Sequence, residues 1–188
     1  LQPEYVGFVF APSRRQVTVD EAEALCRRLD ESILRVGVFV NSPRDRMMDA
    51  AERCRLDVLQ LHGTESPDAC LGFGPGIWKA FAVRSNDVRT QWKDYKVDGY
   101  LVDAYHPKKP GGSGRRFDWD LVAGLSREVT LILAGGLTPD NVRAAIAAVQ
   151  PFAVDVSSGV ERGGQKDRAL MARFIDEVRR DDTGRAEQ

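Results

Sequence analysis

Seven short, continuously apolar runs divide the chain, at residues 5–10 (YVGFVF), 34–40 (LRVGVFV), 58–62 (VLQLH), 77–83 (IWKAFAV), 99–103 (GYLVD), 130–134 (TLILA) and 153–156 (AVDV). A strand with one face in water alternates apolar and polar residues, and these runs do not. They suit strands buried on both faces, which is the condition of a parallel sheet covered by helices. Segments of helical period separate them. Thr18 with Glu21 three positions on forms a capping pattern ahead of Ala22, Leu25, Cys26 and Leu29. Asn41-Ser42-Pro43 precedes Met47, Ala50, Ala51 and Cys54, and a short helix is expected through Pro67 and Leu71. Further helices are expected around Val88 and Trp92, over 118–125, from Thr138-Pro139 through Val149, and along Leu170, Met171, Phe174, Ile175 and Val178. The segment between Glu161 and Lys166 reads as a polar loop.

Strictly alternating strands and helices imply an α/β fold with right-handed crossovers. Seven strands are compatible with an open doubly wound sheet, whereas a closed (β/α) barrel needs eight. The glycine fingerprint of dinucleotide-binding open sheets is missing after the first run. The count alone favours the open sheet, and the missing fingerprint weakens that reading. The chain begins at Leu1 rather than methionine, so an upstream segment is expected to have been removed or left out, which offers a place for an eighth strand. Both forms stay open on these residues alone, and a disordered tail is expected at 181–188.

At 188 residues and 43% hydrophobic, the chain can bury one sizeable core. Its 27 Lys and Arg are spread against 28 Asp and Glu, which argues against nucleic acid or an anionic membrane as partner. No apolar run approaches the ~20 residues of a membrane span. Cys26, Cys54 and Cys70 lack the close spacing of zinc or redox motifs, and only two histidines exist, so no metal is expected and a reduced, cytoplasmic setting is.

Parallel α/β sheets present their chemistry where strands leave the sheet at the carboxyl edge. The stretch 99–119 (GYLVDAYHPKKPGGSGRRFDW) delivers Asp103 at such a point, followed by Gly111, Gly112, Ser113 and Gly114. A single aspartate there is either a turn residue or a catalytic acid. The other strand ends offer Arg15, His62, Gly135-Gly136 and Ser157-Ser158-Gly159. Each glycine pair alone is a plain strand-to-helix turn. On the last two strands together they suit a phosphate, because glycine lets backbone N–H groups approach the anion closely. Arg15 has the planar fork for a carboxylate, or is one of a solvated pair with Arg14. His62 reads as a hydrogen-bonded rim residue or a base, and His106 has no assigned role.

Several longer stretches carry a resemblance: GFVF with Ser-Arg-Arg following, RVGVFVN, LQLHG, LVD with GGSGRRFDW, LAGGLTPDNV, and PFAVDVSSGVE with a nearby Gly and Lys. Together they resemble the phosphoribosylanthranilate isomerases of tryptophan biosynthesis along nearly the whole chain. That resemblance implies the (β/α)8 TIM-barrel family with seven β/α units visible, as a single barrel domain over 1–180, the first strand and helix, an amino-terminal segment of about 20 residues, lying outside this chain. That resemblance implies a cofactor-free aldose–ketose isomerase, interconverting N-(5-phosphoribosyl)anthranilate and 1-(o-carboxyphenylamino)-1-deoxyribulose 5-phosphate by an Amadori rearrangement. It implies Asp103 as general acid to the ribose ring oxygen and Arg15 as holder of the anthranilate carboxylate. It also implies Gly135, Gly136, Ser157, Ser158 and Gly159 as the phosphate site, with Asp155 supporting that strand end. A general acid must carry its proton when substrate binds, and an ordinary aspartate titrates near ~3.9, so the role requires surroundings that favour the protonated form.

The chain departs from the family in one respect. The Lys-Ile-Cys-Gly motif that supplies the family's cysteine base is not in it, and Cys26, Cys54 and Cys70 fall on expected helices. The rival expectation is a non-catalytic phosphate-ligand-binding or scaffold remnant of the barrel. Another phosphate-binding barrel enzyme is the alternative within catalysis. The oligomeric state is not readable from the residues.

Overall fold

The computed structural model describes residues 1–83, 88–103 and 119–185. Seven of its strands follow one another as neighbours in chain order: β1 (Tyr5–Val9), β2 (Leu34–Phe39), β3 (Val58–Leu61), β4 (Gly76–Ala82), β5 (Gly99–Asp103), β6 (Leu131–Ala134) and β7 (Ala153–Val154). The described pairings among them are parallel. Each neighbour is reached by a crossover, and the crossovers hold α1 (Val19–Cys26), α2 (Arg44–Cys54), α3 (Val88–Trp92) and α4 (Val142–Val149). β3 and β6 are buried at every position, as the unbroken apolar runs predict. The chain is an α/β protein with a parallel sheet.

Contacts divide it into two compact units. The first comprises Gln2–Ala80 and Lys93–Gly99. Its core packs Phe8, Phe39, Leu59, Leu61 and Ile77 of the strands against Ala22, Cys26, Met47, Ala50 and Cys54 of α1 and α2. Phe10 stacks on Phe39 with centroids 5.0 Å apart, and Tyr5 tilts against Trp78 at the same separation. Asp57 and Asp98 precede their strands and accept from the amides of Arg35 and Ile77, each at 2.7 Å, which pins the strand starts.

The second unit comprises Leu1, Phe81–Trp92 and Tyr100–Gln188. Leu101, Val102, Leu131, Ile132 and Leu133 are fully buried in its strands, and Val142, Ala145 and Val149 bury one face of α4. Trp92 stands edge-on to Tyr100 with centroids 5.2 Å apart. The last helix, α5 (Arg168–Arg185), follows Asp167, whose carboxylate accepts from the amides of Ala169 and Leu170.

Several boundaries differ from expectation. The helix expected over 118–125 is instead two 3-10 turns, Trp119–Leu121 and Leu125–Arg127, separated where Gly124 takes φ 79°. Helix α4 starts after Asn141 rather than at Thr138, because the Asn141 side chain accepts from the Thr138 amide at 2.8 Å and closes a turn first. The polar loop at 161–166 is a hairpin, β8 (Glu161–Arg162) against β9 (Gln165–Lys166), turning at Gly163 and Gly164 with φ 60° and 83°. The tail expected from residue 181 is helical as far as Arg185, since a helix once formed extends past its last core contact at little cost. Residues 186–188 lie outside the described set, as do His106, the loop 111–114, Phe117 and Asp118.

The capping pattern at Thr18 is realised in full. The Glu21 amide donates to Thr18 Oγ1 at 3.2 Å, and Glu21 Oε2 accepts from the Thr18 amide at 2.7 Å and its hydroxyl at 2.9 Å. The backbone bond first, and then the hydroxyl, hold the Glu21 carboxyl below the usual range. A carboxyl whose folded pKa is depressed adds stability above its unfolded pKa, near ~4.3, and that contribution is lost as pH falls through the folded value. Thr18→Ala is expected to cost about 1 kcal/mol in urea unfolding at neutral pH and to flatten the acid limb of stability below about pH 4.5.

Candidate functional site

Four candidate groups lie at neighbouring strand ends of the second unit. Asp103 is the last residue of β5, half-buried, and pairs in register with Ala134, the last residue of β6. Gly135 and Gly136 follow directly, with φ 84° and 65°. On β7, the Asp155 amide donates to the Leu133 carbonyl at 2.9 Å, so Ser157, Ser158 and Gly159 emerge beside the turn that follows β6. The structure thus brings Asp103, the Gly135-Gly136 pair and the 157–159 segment to one sheet edge. The Asp155 side chain is exposed at that edge.

The two glycine-bearing turns fit against each other. A Cβ on Gly159 would overlap the Leu137 carbonyl oxygen and stand 2.9 Å from the Leu137 carbonyl carbon. Only glycine lets the two backbones approach this closely. Beside Gly136, by contrast, a Cβ would meet nothing within 4 Å. Ser158–Val160 form a 3-10 turn. The leading amides of such a turn have no partner within it and are available to an anion. The Asn141 amide group donates to the Gly136 carbonyl at 3.0 Å, and Lys166 Nζ donates to the Ser157 carbonyl at 2.7 Å. Both glycine turns are therefore held by side chains bonded to backbone carbonyls. That bonding turns the peptide N–H groups of the same planes the other way.

Arg15 and His62 belong to the first unit. Arg15 is half-buried in the turn after β1, where its amide donates to Ser13 Oγ at 3.1 Å. His62 follows β3, its amide donating to the Phe39 carbonyl at 2.8 Å. The Gln60 amide nitrogen lies 3.2 Å from His62 Nδ1. An amide nitrogen only donates, so this assignment makes Nδ1 an acceptor and puts the ring hydrogen on Nε2.

Reading the strand runs alone passes over a buried ion pair at the same end of β3 and β4. Lys79 Nζ lies 3.2 Å from Glu65 Oε2, with both side chains almost wholly buried. Lys79 also donates to the carbonyls of Leu61, Gly63 and Ala80, at 3.1, 2.8 and 3.0 Å. Glu65 accepts from the Asn41 amide at 2.7 Å and the Gly63 amide at 3.0 Å, and the Tyr95 hydroxyl donates to its carbonyl at 2.8 Å. The signal was present as the one lysine inside an apolar run, IWKAFAV. The pair ties the turn carrying His62 and Gly63 to β4.

The cysteines sit on helical segments: Cys26 on α1, Cys54 on α2, and Cys70 on the 3-10 turn Asp68–Cys70. Burial pushes all three thiols up, Cys54 to about 11. A thiol held up in this way is a poor source of thiolate at neutral pH.

A family model described as N-(5'phosphoribosyl)anthranilate (PRA) isomerase matches residues 1–177. The chain is 46% identical over 180 residues to the N-(5'-phosphoribosyl)anthranilate isomerase of Caldanaerobacter subterraneus subsp. tengcongensis, covering 95% of this chain and 89% of that one. The crystal structure of phosphoribosyl anthranilate isomerase from Thermotoga maritima is similar at TM-score 0.84 and 37% identity, over 94% of this chain and 88% of that one. A further solved isomerase of the same name, in complex with reduced 1-(o-carboxyphenylamino)-1-deoxyribulose 5-phosphate, is similar at TM-score 0.80 and 34% identity, over 94% and 87%.

Gly159→Ala is expected to lose at least tenfold in affinity for inorganic phosphate and to lower the thermal midpoint, because backbone must move to admit the methyl group. Gly136→Ala should cost only about 1 kcal/mol of stability for its positive φ, with no clash. Calorimetric titration and thermal unfolding of both variants check the contrast. Lys79→Met strands a buried carboxylate and should cost about 3–5 kcal/mol in chemical unfolding, much of it recovered in Lys79→Met/Glu65→Leu.

Proposed function

The chain belongs to the N-(5'phosphoribosyl)anthranilate isomerase family, and we propose that its strand-end residues carry that family's reaction in the roles given below. It is an isomerase of tryptophan biosynthesis, converting N-(5-phosphoribosyl)anthranilate to 1-(o-carboxyphenylamino)-1-deoxyribulose 5-phosphate. The observation that carries the proposed roles is the register Asp103↔Ala134, which sets an acid beside a phosphate-competent pair of turns. The likeness to solved members also supports the (β/α)8 barrel as the form to which the seven strands belong.

In this reading the substrate phosphate is taken by backbone N–H groups of Gly135-Gly136 and Ser157-Ser158-Gly159, with Asp155 supporting the β7 end. Peptide dipoles aimed at the anion replace its hydration without needing a mobile cation. Arg15 takes the anthranilate carboxylate through its guanidinium fork. His62, with Nε2 carrying the ring hydrogen, serves as a hydrogen-bond donor to substrate rather than as a base. Asp103 gives its proton to the ribose ring oxygen as the C1–O bond breaks. The electron pair of that bond stays with the oxygen, and the anthranilate nitrogen closes a C=N bond to C1. Removal of the C2 proton then moves electrons into a C1–C2 double bond and returns the pair to nitrogen, and tautomerisation yields the ketose. Anchoring the phosphate beside Asp103 orients the sugar toward the acid, and orientation lowers the barrier. None of Cys26, Cys54 and Cys70 suits the proton-removal step, being buried on helical segments. Three free thiols fit a cytoplasmic setting for the reaction.

Asp103→Asn removes the proton to be donated while keeping the shape. Turnover, followed by anthranilate fluorescence, is expected to fall by about 10²-fold or more while affinity for inorganic phosphate is unchanged. Near-normal turnover in the variant overturns the assignment.

A further inference from the structure

Lys166 has no part in the reaction as given above, yet it is bound to the candidate phosphate turn. Its Nζ donates to the Ser157 carbonyl at 2.7 Å and lies 3.4 Å from Glu161 Oε1. Lys166 and Glu161 are register partners across the β8–β9 hairpin, so the contact is a cross-strand ion pair. The Glu161 side chain is 5% exposed and that of Lys166 43%. The carboxylate neutralises the ammonium locally, so the lysine's net field is small and its hydrogen bond is what remains distinctive.

The platform under the lysine is fixed on both sides. Before it, the tight turn at Gly163 and Gly164 sets the hairpin register. After it, the Asp167 amide donates to the Val160 carbonyl at 2.9 Å, its carboxylate caps α5, and Arg162 Nε lies 3.2 Å from Asp167 Oδ2. A lysine on such a base keeps its ammonium in one place. The Ser157–Ser158 peptide is trans, so its C=O and N–H point in opposite directions from a rigid plane. Holding the carbonyl of Ser157 therefore aims the N–H of Ser158.

We propose that Lys166 is a positioning residue of the phosphate site, holding the Ser157–Ser158 peptide so that the Ser158 N–H faces the substrate phosphate. The proposal rests on the phosphate reading of the 157–159 segment. Lys166 acts through the peptide and does not itself touch the phosphate. An ammonium that bound the anion directly would gain from losing its carboxylate partner, whereas a positioning lysine needs Glu161 only to keep its place.

The test uses the full chain, with inorganic phosphate as probe, read by calorimetry and by the ¹⁵N–¹H shift of the Ser158 amide. Wild type is expected to bind phosphate with a large Ser158 shift. Lys166→Met should weaken phosphate binding about tenfold and shrink that shift, and Lys166→Arg, which keeps a donor to the carbonyl, should return to within about threefold. In turnover, Lys166→Met should raise KM by a similar factor and leave kcat within about twofold, the pattern of lost uniform binding. Lys166→Met with wild-type phosphate affinity and Ser158 shift would show that the lysine only ties down the hairpin, and the proposal fails. A wild-type chain whose Ser158 amide ignores phosphate overturns the phosphate reading itself. Should Lys166→Met not fold, Lys166→Arg and Lys166→Thr decide the matter by the same readouts, arginine retaining the Ser158 shift and threonine, too short to reach the carbonyl, losing it.

Discussion

Burial of the strands on both faces is the constraint on which the rest depends. A strand such as β3 or β6, with every residue inaccessible to water, must satisfy its backbone through ladder bonds and has no solvated side on which to place polar chemistry. Polar groups are driven to where the ladders end. That is why Asp103 is half-buried at the last position of β5, and why the glycine turns begin one residue beyond β6 and a few beyond β7. The same pressure explains Asp57 and Asp98 at the opposite ends, where their carboxylates accept from the second amides of β2 and β4.

Lys79 is the exception that measures the pressure. An ammonium inside a buried strand is tolerated only because three carbonyls and one carboxylate surround it, and the carboxylate in turn takes two backbone amides. The partners other than Ala80, which lies within β4, belong to the end of β3 or the turns beyond β2 and β3, so the buried charge gathers those turns onto β4. Glycine at position 63 is part of the arrangement, since a Cβ there would run into the Asn41 side chain and stand 2.7 Å from Glu65 Oε1. Apolar replacements could match the stability of the pair but not the way it ties two turns to β4, which hydrogen-bond directions specify.

Much of this was legible from residues alone, and the reasons divide cleanly. The strands were readable as apolar runs, most plainly β3 and β6, which are buried at every position, and α1 because Thr18 and Glu21 make a reciprocal cap that local spacing encodes. The β8–β9 hairpin was not, because its strands are two residues each and polar, so periodicity has nothing to count; only the Gly163-Gly164 pair marked the turn. The later start of α4 escaped for a similar reason, since Thr138 and Asn141 are both competent caps and the choice depends on which turn closes first. The positions of Asp103 and the glycine pairs at strand ends could be read from the runs they follow, whereas the bond from Lys166 to a backbone carbonyl nine positions away in sequence could not.

The cysteines bring the same physics to the chemistry. A proton-abstracting thiol has to be ionised near neutral pH, which asks for a strand end or a helix amino terminus and a nearby positive charge. Cys26 and Cys54 instead close the carboxyl ends of α1 and α2, where helix carbonyls face them and apolar neighbours exclude water. Cys54 spends its S–H on the Val19 carbonyl, and Cys70 its own on the Ser66 carbonyl. Arg35 near Cys26, Arg53 near Cys54 and Lys79 near Cys70 pull toward the thiolate, but desolvation is the largest influence on each thiol and favours the neutral form. Their burial therefore serves packing between helix and sheet, and a core that holds its thiols neutral leaves them unsuited to trading protons.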